Sequence, residues 1–210
     1  MIRILITDDH AIVRSGLKQI FQQVDDFEVV GEASNGGELL ERLAKSVPDV
    51  LLMDLDMPGI SGSELIARIR ATWHGLPLLV LSMHNEPAVA MRALKAGASG
   101  YITKDCDLNI LLPAIRAVAT GKKFIMPGMA EQMVFEDTPA PQTAPHFSLT
   151  DREMQVFNLL VAGSSVNDIA AQLCVSNKTI STHKAKLMEK LAITSLAELV
   201  RYAMQRGLVS

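Results

Sequence analysis

Apolar positions along this chain follow two rhythms. Through residues 1–120, short apolar runs alternate with stretches in which apolar residues recur every three or four positions; beyond residue 148 only the helical rhythm is left. The short runs at 2–7, 27–33, 50–53, 76–82 and 100–104 are bounded by turn formers and predict strands buried on both faces of a parallel sheet. Between them, Val13, Leu17, Ile20, Phe21 and Val24 recur at helical spacing and would cover the sheet, while Ile12, Ser15, Gln19 and Gln22 point away. Further helices are predicted over 38–45, 63–71, 87–96 and 107–120. Alternating units of this kind give an α/β fold with a doubly wound, five-stranded parallel sheet.

Residues 121–136 read as an irregular connector leading into a short helix, and 137–146, with Pro139, Pro141 and Pro145, read as an extended tether unable to bury a core. The expected organisation is therefore 1–120, a connector helix and Pro-rich linker over 121–147, and a second, all-α domain over 148–210. Thr150 and Glu153 form a capping-box pattern that opens a helix carrying Val156, Leu159 and Leu160 as far as Gly163. A short helix over 165–173 follows, with Ile169, Ala170 and Leu173 inward. Ser176 caps a third helix, and Thr194 or Ser195 a fourth that runs to about Gln205 and stops at Gly207. Two short helices joined by the tight turn 173–176 make a helix-turn-helix arrangement.

Composition narrows the setting. No run of about 18 apolar residues occurs, so no membrane span or membrane partner is expected, and the opening residues lack a signal-peptide pattern; the expected location is the cytoplasm. Cys106 and Cys174 are isolated and read as free thiols in a reducing compartment. The net charge of −3 hides an asymmetry: residues 148–210 hold 7 Lys+Arg against 5 Asp+Glu, or +2, and the remainder 13 against 18, or −5. An acidic first domain and a basic second one follow.

Candidate chemistry sits at strand ends. In open α/β sheets ligands bind at the carboxyl edge, where Asp54 ends the third strand and Asp8 and Asp9 end the first. Like charges held close repel unless a cation joins them, so Asp8, Asp9 and Asp54 predict a divalent metal, and oxygen-only ligands favour Mg²⁺. Ser82 follows the fourth strand and Lys104 the fifth; they supply the hydroxyl donor and the point charge that a phosphoryl group on Asp54 would need. Taken singly, each has an ordinary reading as turn former or solvated surface.

In conjunction they resemble a two-component response regulator, whose flavodoxin-like receiver domain matches residues 1–120 in order and spacing. The resemblance implies that Asp54 accepts a phosphoryl group from a sensor histidine kinase, and that Asp8, Asp9 and Asp54, with the backbone carbonyl of Asp56, hold Mg²⁺. It also implies that Ser82 and Tyr101 are a switch pair in which the hydroxyl turns to the phosphoryl oxygen and the ring moves inward. Two departures stand out: Asp105 follows Lys104 where many receivers have a cis proline, and the switch hydroxyl is Ser rather than Thr. With Pro87, Ala90, Lys95 and Ala96, Tyr101 would line the surface of the fourth helix and fifth strand; the plain alternative is an ordinary half-buried aromatic.

The third helix of the second domain carries the remaining decision. With Ile180 inward, Leu187 and Leu191 fall on the same side, Lys178, Ser181, Thr182, Ala185 and Lys186 fall outward, and Lys184 lies near the inner edge, where its stem can pack. This face suits a major groove, although a protein-binding module would present a similar one. Residues 148–208 closely resemble the LuxR-type (NarL/FixJ-like) helix-turn-helix. That resemblance implies base-edge contacts from Ser181, Thr182 and Ala185, phosphate contacts from Lys178, Thr179, Lys184 and Lys186, and a structural role for His183. The expected partners are a histidine kinase, double-stranded promoter DNA, a second copy of the chain once phosphorylated, and RNA polymerase. The protein is then a phosphoacceptor transcription regulator whose only chemistry is its own phosphorylation and dephosphorylation. Asp54-Leu55-Asp56 also looks like the Asp-x-Asp of haloacid dehalogenase-like phosphatases, but those carry it on their first strand.

Overall fold

In the computed structural model the first rhythm becomes β1 (Ile2–Thr7), α1 (Ala11–Phe21), β2 (Phe27–Ala33), α2 (Gly36–Lys45), β3 (Val50–Met53), α3 (Gly62–Thr72), β4 (Leu78–Ser82), α4 (Pro87–Ala96), β5 (Gly100–Thr103) and α5 (Leu108–Ala119). The structure describes residues 1–135, 146, 149–173 and 175–206. All strand pairings are parallel, in the order β2-β1-β3-β4-β5-β6. The sheet thus has six strands rather than the expected five. The added strand, β6 (Phe124–Ile125), is two residues long and precedes α6 (Pro127–Phe135). Periodicity cannot register so short a strand, which exists through its pairing with β5.

Each strand alternates between two cores. Ile4, Ile6, Leu52, Leu79, Leu81 and Ile102 pack on Leu17 and Phe21 of α1 and on Leu111, Ile115 and Val118 of α5. Leu5, Leu51, Met53, Leu78, Val80 and Tyr101 face the side of α2, α3 and α4, where Met129 of α6 is also buried. Ile12 is exposed, as the helical spacing required. The first helix ends at Phe21, so Val24 packs on its core from beyond the helix.

The chain divides into two compact units, Met1–Thr138 and Pro139–Ser210. In the second, α7 (Asp151–Val161), α8 (Val166–Gln172), α9 (Asn177–Leu191) and α10 (Leu196–Gln205) surround Val156, Phe157, Leu160, Ile169, Ile180, Leu187, Leu191 and Leu199. Thr150, Ser165, Ser176 and Ser195 cap these helices through their side chains, with reciprocal boxes at Glu153, Asp168 and Glu198. The expected tether lies outside the described residues except for His146, which is buried and lies 2.7 Å through Nδ1 from the Tyr202 hydroxyl. Cys174 and Gly207 also lie outside them.

Two contacts lead to tests. A Cβ on Gly100 would stand 2.7 Å from the Phe124 carbonyl and 2.9 Å from a Leu79 methyl. Gly100→Ala should therefore push β6 off the edge and lower the urea midpoint of the first unit, at a cost of about 1–3 kcal/mol. Glu153 is buried, accepts a bond from the Thr150 N–H and pairs with Lys190 of α9 at 2.6 Å. Burial pushes its carboxyl up, but Lys190 and the Thr150 N–H outweigh this and hold it below the usual carboxylate range. A depressed folded value adds stability above the unfolded value that is lost as pH falls through the folded one. Lys190→Met should cost the second unit about 1–3 kcal/mol at pH 7, and less in acid, in urea unfolding at the two pH values.

Candidate functional site

Strand order gathers the strand-end residues. With β1 beside β3, the two acid-bearing strand ends are neighbours, and the Asp54 N–H donates to the Thr7 carbonyl at 2.8 Å, continuing the ladder. With β4 beside β5, the Lys104 N–H donates to the Ser82 carbonyl at 2.7 Å. The pocket thus opens at the point where strand order reverses between β1 and β3.

Lys104 is the hinge of the electrostatics. Its Nζ lies 2.7 Å from Asp54 Oδ2 and 2.7 Å from Asp8 Oδ2, with both carboxylates buried. Burial pulls the ammonium down, but Asp54 and Asp8 outweigh it and hold it above its usual value. Asp54 is pushed up to about 6, chiefly by burial and further by Asp8, against the pull of Lys104. One cation facing two buried acids, with Asp9 alongside, leaves an excess of negative charge.

The cluster suits a small hard cation. One ligand atom from each of Asp8, Asp9, His10 and Asp54 falls within 4.8 Å of the others. Asp8 Oδ2 is shielded from solvent and ion-paired with Lys104 at 2.7 Å. Three carboxylates facing one ammonium offer the oxygen donors that suit a hard divalent metal. The Asp56 N–H donates to Asp54 Oδ1 at 3.3 Å, which puts the loop carrying the Asp56 carbonyl beside the acid.

Two histidines complete the surroundings, and the sequence reading passed over both. His10 Nδ1 stands 2.8 Å from Asp9 and 3.3 Å from Asp8; its place directly after two acids was the available signal. His84 Nε2 pairs with the Asp56 carboxylate at 2.8 Å. Its N–H donates to Ser82 Oγ at 3.2 Å, and its carbonyl accepts the Tyr101 hydroxyl at 2.8 Å. Nothing in the sequence foretold this, because β3 and β4 are needed to bring the two loops together.

Tyr101 and Ala90 are fully buried, so neither lines the surface of α4 and β5 as expected. The β5 alternation aims the Tyr101 ring into the core of the α2, α3 and α4 face. No cis peptide bond occurs among the described residues, in keeping with Asp105 after Lys104.

On α9, Lys178, Ser181, Thr182, Ala185 and Lys186 are exposed, Thr179, His183 and Lys184 half-buried, and Ile180, Leu187 and Leu191 buried. Ser176 Oγ accepts the Thr179 N–H and lies 2.8 Å from the Thr179 hydroxyl, so that hydroxyl is engaged at the cap. The Thr182 hydroxyl donates to the Lys178 carbonyl at 2.9 Å, leaving its methyl and lone pairs for a partner.

The raised Asp54 value fixes a sign. A carboxyl held above its unfolded value contributes stability at low pH that is lost as pH rises through about 4 to 6. In chelator, Asp54→Asn should therefore stabilise the first unit by about 1–3 kcal/mol at pH 7.5, and the gain should fade near pH 4. Urea unfolding at the two pH values checks it.

Residues 4–116 match the family described as response regulator receiver domain, and residues 147–203 that described as bacterial regulatory proteins, luxR family. The response regulator GacA of Pseudomonas protegens is 36% identical over 209 residues, covering 100% of this chain and 98% of that protein. The response regulator UvrY of Escherichia coli K12 is 34% identical over 209 residues, covering 99% and 96%. Among solved structures, RcsB from Salmonella enterica serovar Typhimurium, bound to a promoter in the presence of phosphomimetic BeF3−, is 31% identical with a TM-score of 0.61, covering 96% of this chain and 97% of that one.

Proposed function

From the premise that this chain is a two-component response regulator, a receiver domain followed by a LuxR-type DNA-binding domain, we propose that Asp54 is its phosphoacceptor and that its phosphorylation state sets the grip of α9 on promoter DNA. The observation that carries this reading is Lys104, held 2.7 Å from both Asp54 and Asp8 at the carboxyl edge of the sheet. A carboxylate oxygen of Asp54 attacks the phosphorus of a kinase phosphohistidine; a P–O bond forms as the P–N bond breaks, and the imidazole leaves.

Asp8, Asp9, Asp54 and the Asp56 backbone carbonyl would hold Mg²⁺, which supplies positive charge against the phosphoryl oxygens when bound. Lys104 exchanges its pairing with Asp54 for one with a phosphoryl oxygen. The Ser82 hydroxyl, already accepting the His84 N–H, turns its proton to another. Because the His84 carbonyl holds the Tyr101 hydroxyl, a shift of Ser82 is felt along the loop that fixes the ring. Moving such a two-state balance from 1:99 to 99:1 takes about 5.5 kcal/mol of differential interaction.

On DNA, Ser181, Thr182 and Ala185 face base edges while Lys178, Lys184 and Lys186 face phosphates, with Thr179 at the flank. The exposed stripe on α9, free of acids until Glu189, supports this assignment. Phosphorylation favours a homodimer whose two output domains bind paired half-sites. The chain works in the cytoplasm, where RNA polymerase is the further partner. Among the described residues no helix is long and apolar enough to cross a membrane. Its chemistry is confined to gaining and losing its own phosphoryl group. The related RcsB, solved on a promoter with a phosphomimetic, supports the coupling by analogy.

The test joins both halves. Acetyl phosphate or a kinase should load one label that is labile in acid and in base, and Asp54→Ala should abolish it. With about three phosphate contacts per half-site, the log–log salt slope of DNA binding should steepen from near −3 to between −5 and −6 on loading. An unchanged slope and affinity would count against the coupling.

A further inference from the structure

We propose that Arg14 is a positioning residue of the acidic pocket: by holding the main chain of Asp8, it fixes the turn that presents the Asp8 and Asp9 carboxylates to a bound divalent cation. The inference rests on the reading of that pocket as the phosphorylation site and adds to it a residue that acts through another.

The paired residues of β1 end at Thr7, opposite Ala33 of β2 and Met53 of β3. One residue on, the Asp8 N–H still donates to the Ala33 carbonyl at 3.2 Å, but the Asp8 carbonyl lies past the ladder. Arg14 Nη1, from the first turn of α1, donates to that carbonyl at 2.6 Å. The main chain of Asp8 is thus gripped by β2 on one side and by α1 on the other. From the same residue the carboxylate reaches Lys104 through Oδ2 at 2.7 Å and accepts the His10 N–H through Oδ1 at 2.8 Å. Whatever fixes the Asp8 peptide therefore also aims its acid.

The guanidinium is itself held. Its Nε lies 3.5 Å from the carboxylate of Glu32, the residue before Ala33, and Glu32 pairs at 2.7 Å with Lys18, one turn further along α1. Lys18 and, after it, Arg14 keep the Glu32 carboxyl below the usual carboxylate range against the effect of burial, so the anchor stays charged at neutral pH. The planar fork of Arg14 gives one arm to the Asp8 carbonyl and the other to β2, a geometry that the single point charge of a lysine does not copy. Electrostatics supplies the need for such a brace. Asp8, Asp9 and Asp54 face a single ammonium, and like charges at this range push apart the turn that carries two of them. Arg14 braces that turn through a carbonyl, which leaves the carboxylate oxygens to the cation.

The test is calorimetric titration of the full chain with MgCl2, together with labelling by acetyl phosphate over a range of Mg²⁺, in the unsubstituted chain, Arg14→Met, Arg14→Lys and Glu32→Gln. Outer-shell partners set metal affinity by about 10–100-fold, so both Arg14 substitutions should weaken Mg²⁺ by about tenfold. Once Mg²⁺ saturates, labelling should return to within about twofold of the unsubstituted rate, because Asp54, Lys104 and Ser82 lie at the ends of other strands. Glu32→Gln, which leaves the Asp8 turn itself unaltered, should weaken Mg²⁺ in the same direction by less. An arginine that only completed the fold would lower the urea midpoint and leave the Mg²⁺ affinity of the folded chain unchanged, and that result would overturn the proposal. So would an unaltered Mg²⁺ affinity in Arg14→Lys, since charge alone would then suffice. If the unsubstituted chain takes label as fast in chelator as in Mg²⁺, the underlying reading of the pocket falls; if it needs Mg²⁺ and the Arg14 variants need no more of it, only the role of Arg14 falls.

Discussion

One lysine placed between two buried carboxylates sets the terms for the N-terminal unit. Lys104 reaches Asp54 and Asp8 from the end of β5, and both acids are closed off from solvent by the sheet edge and its loops. Taking such charges out of water costs several kcal/mol each unless partners compensate. A single ammonium cannot neutralise both acids. The result is a pocket with a standing demand for positive charge and two carboxylates kept partly desolvated. Asp54 is raised to about 6 chiefly by that burial, against the pull of Lys104.

The route out of the pocket is built from backbone as much as from side chains. Ser82, His84 and Tyr101 are joined by hydrogen bonds that run through the main chain of His84, and the imidazole of that residue is tied to Asp56. The loops after β3 and β4 therefore share a latch. Tyr101 itself lies on β5, whose outer edge pairs with β6 in the register Tyr101–Ile125. The strand that carries the ring is thus joined directly to the segment that follows α5.

In the C-terminal unit a buried charge also positions a functional element. Glu153 closes the box at the start of α7 and grips Lys190 near the end of α9. Its two roles fix the helix that carries the exposed Lys178, Ser181, Thr182, Ala185 and Lys186 stripe against its neighbour. Three further side-chain caps, at Ser165, Ser176 and Ser195, satisfy N–H groups at helix starts that short helices can ill spare. A small apolar core is thus supplemented by polar contacts at the starts of α7, α8, α9 and α10.

Sequence alone determined the local and the periodic. It located the first five strands to within two residues at their ends, because a strand buried on both faces must be a continuous apolar run. It placed Asp8, Asp9, Asp54, Ser82 and Lys104 at strand ends, and the outward face of α9, because helical and extended periods assign faces without reference to a partner. Tertiary structure alone decided what depends on meeting across the chain. The two-residue β6 has no period to detect, and the inward Tyr101 ring is set by the pairing and packing of β5. The His84–Asp56 latch and the Glu153–Lys190 pair join residues that only the fold brings within 3 Å. Electrostatic contacts of this kind fall off with distance in space, and distance in space is the quantity a linear pattern does not carry.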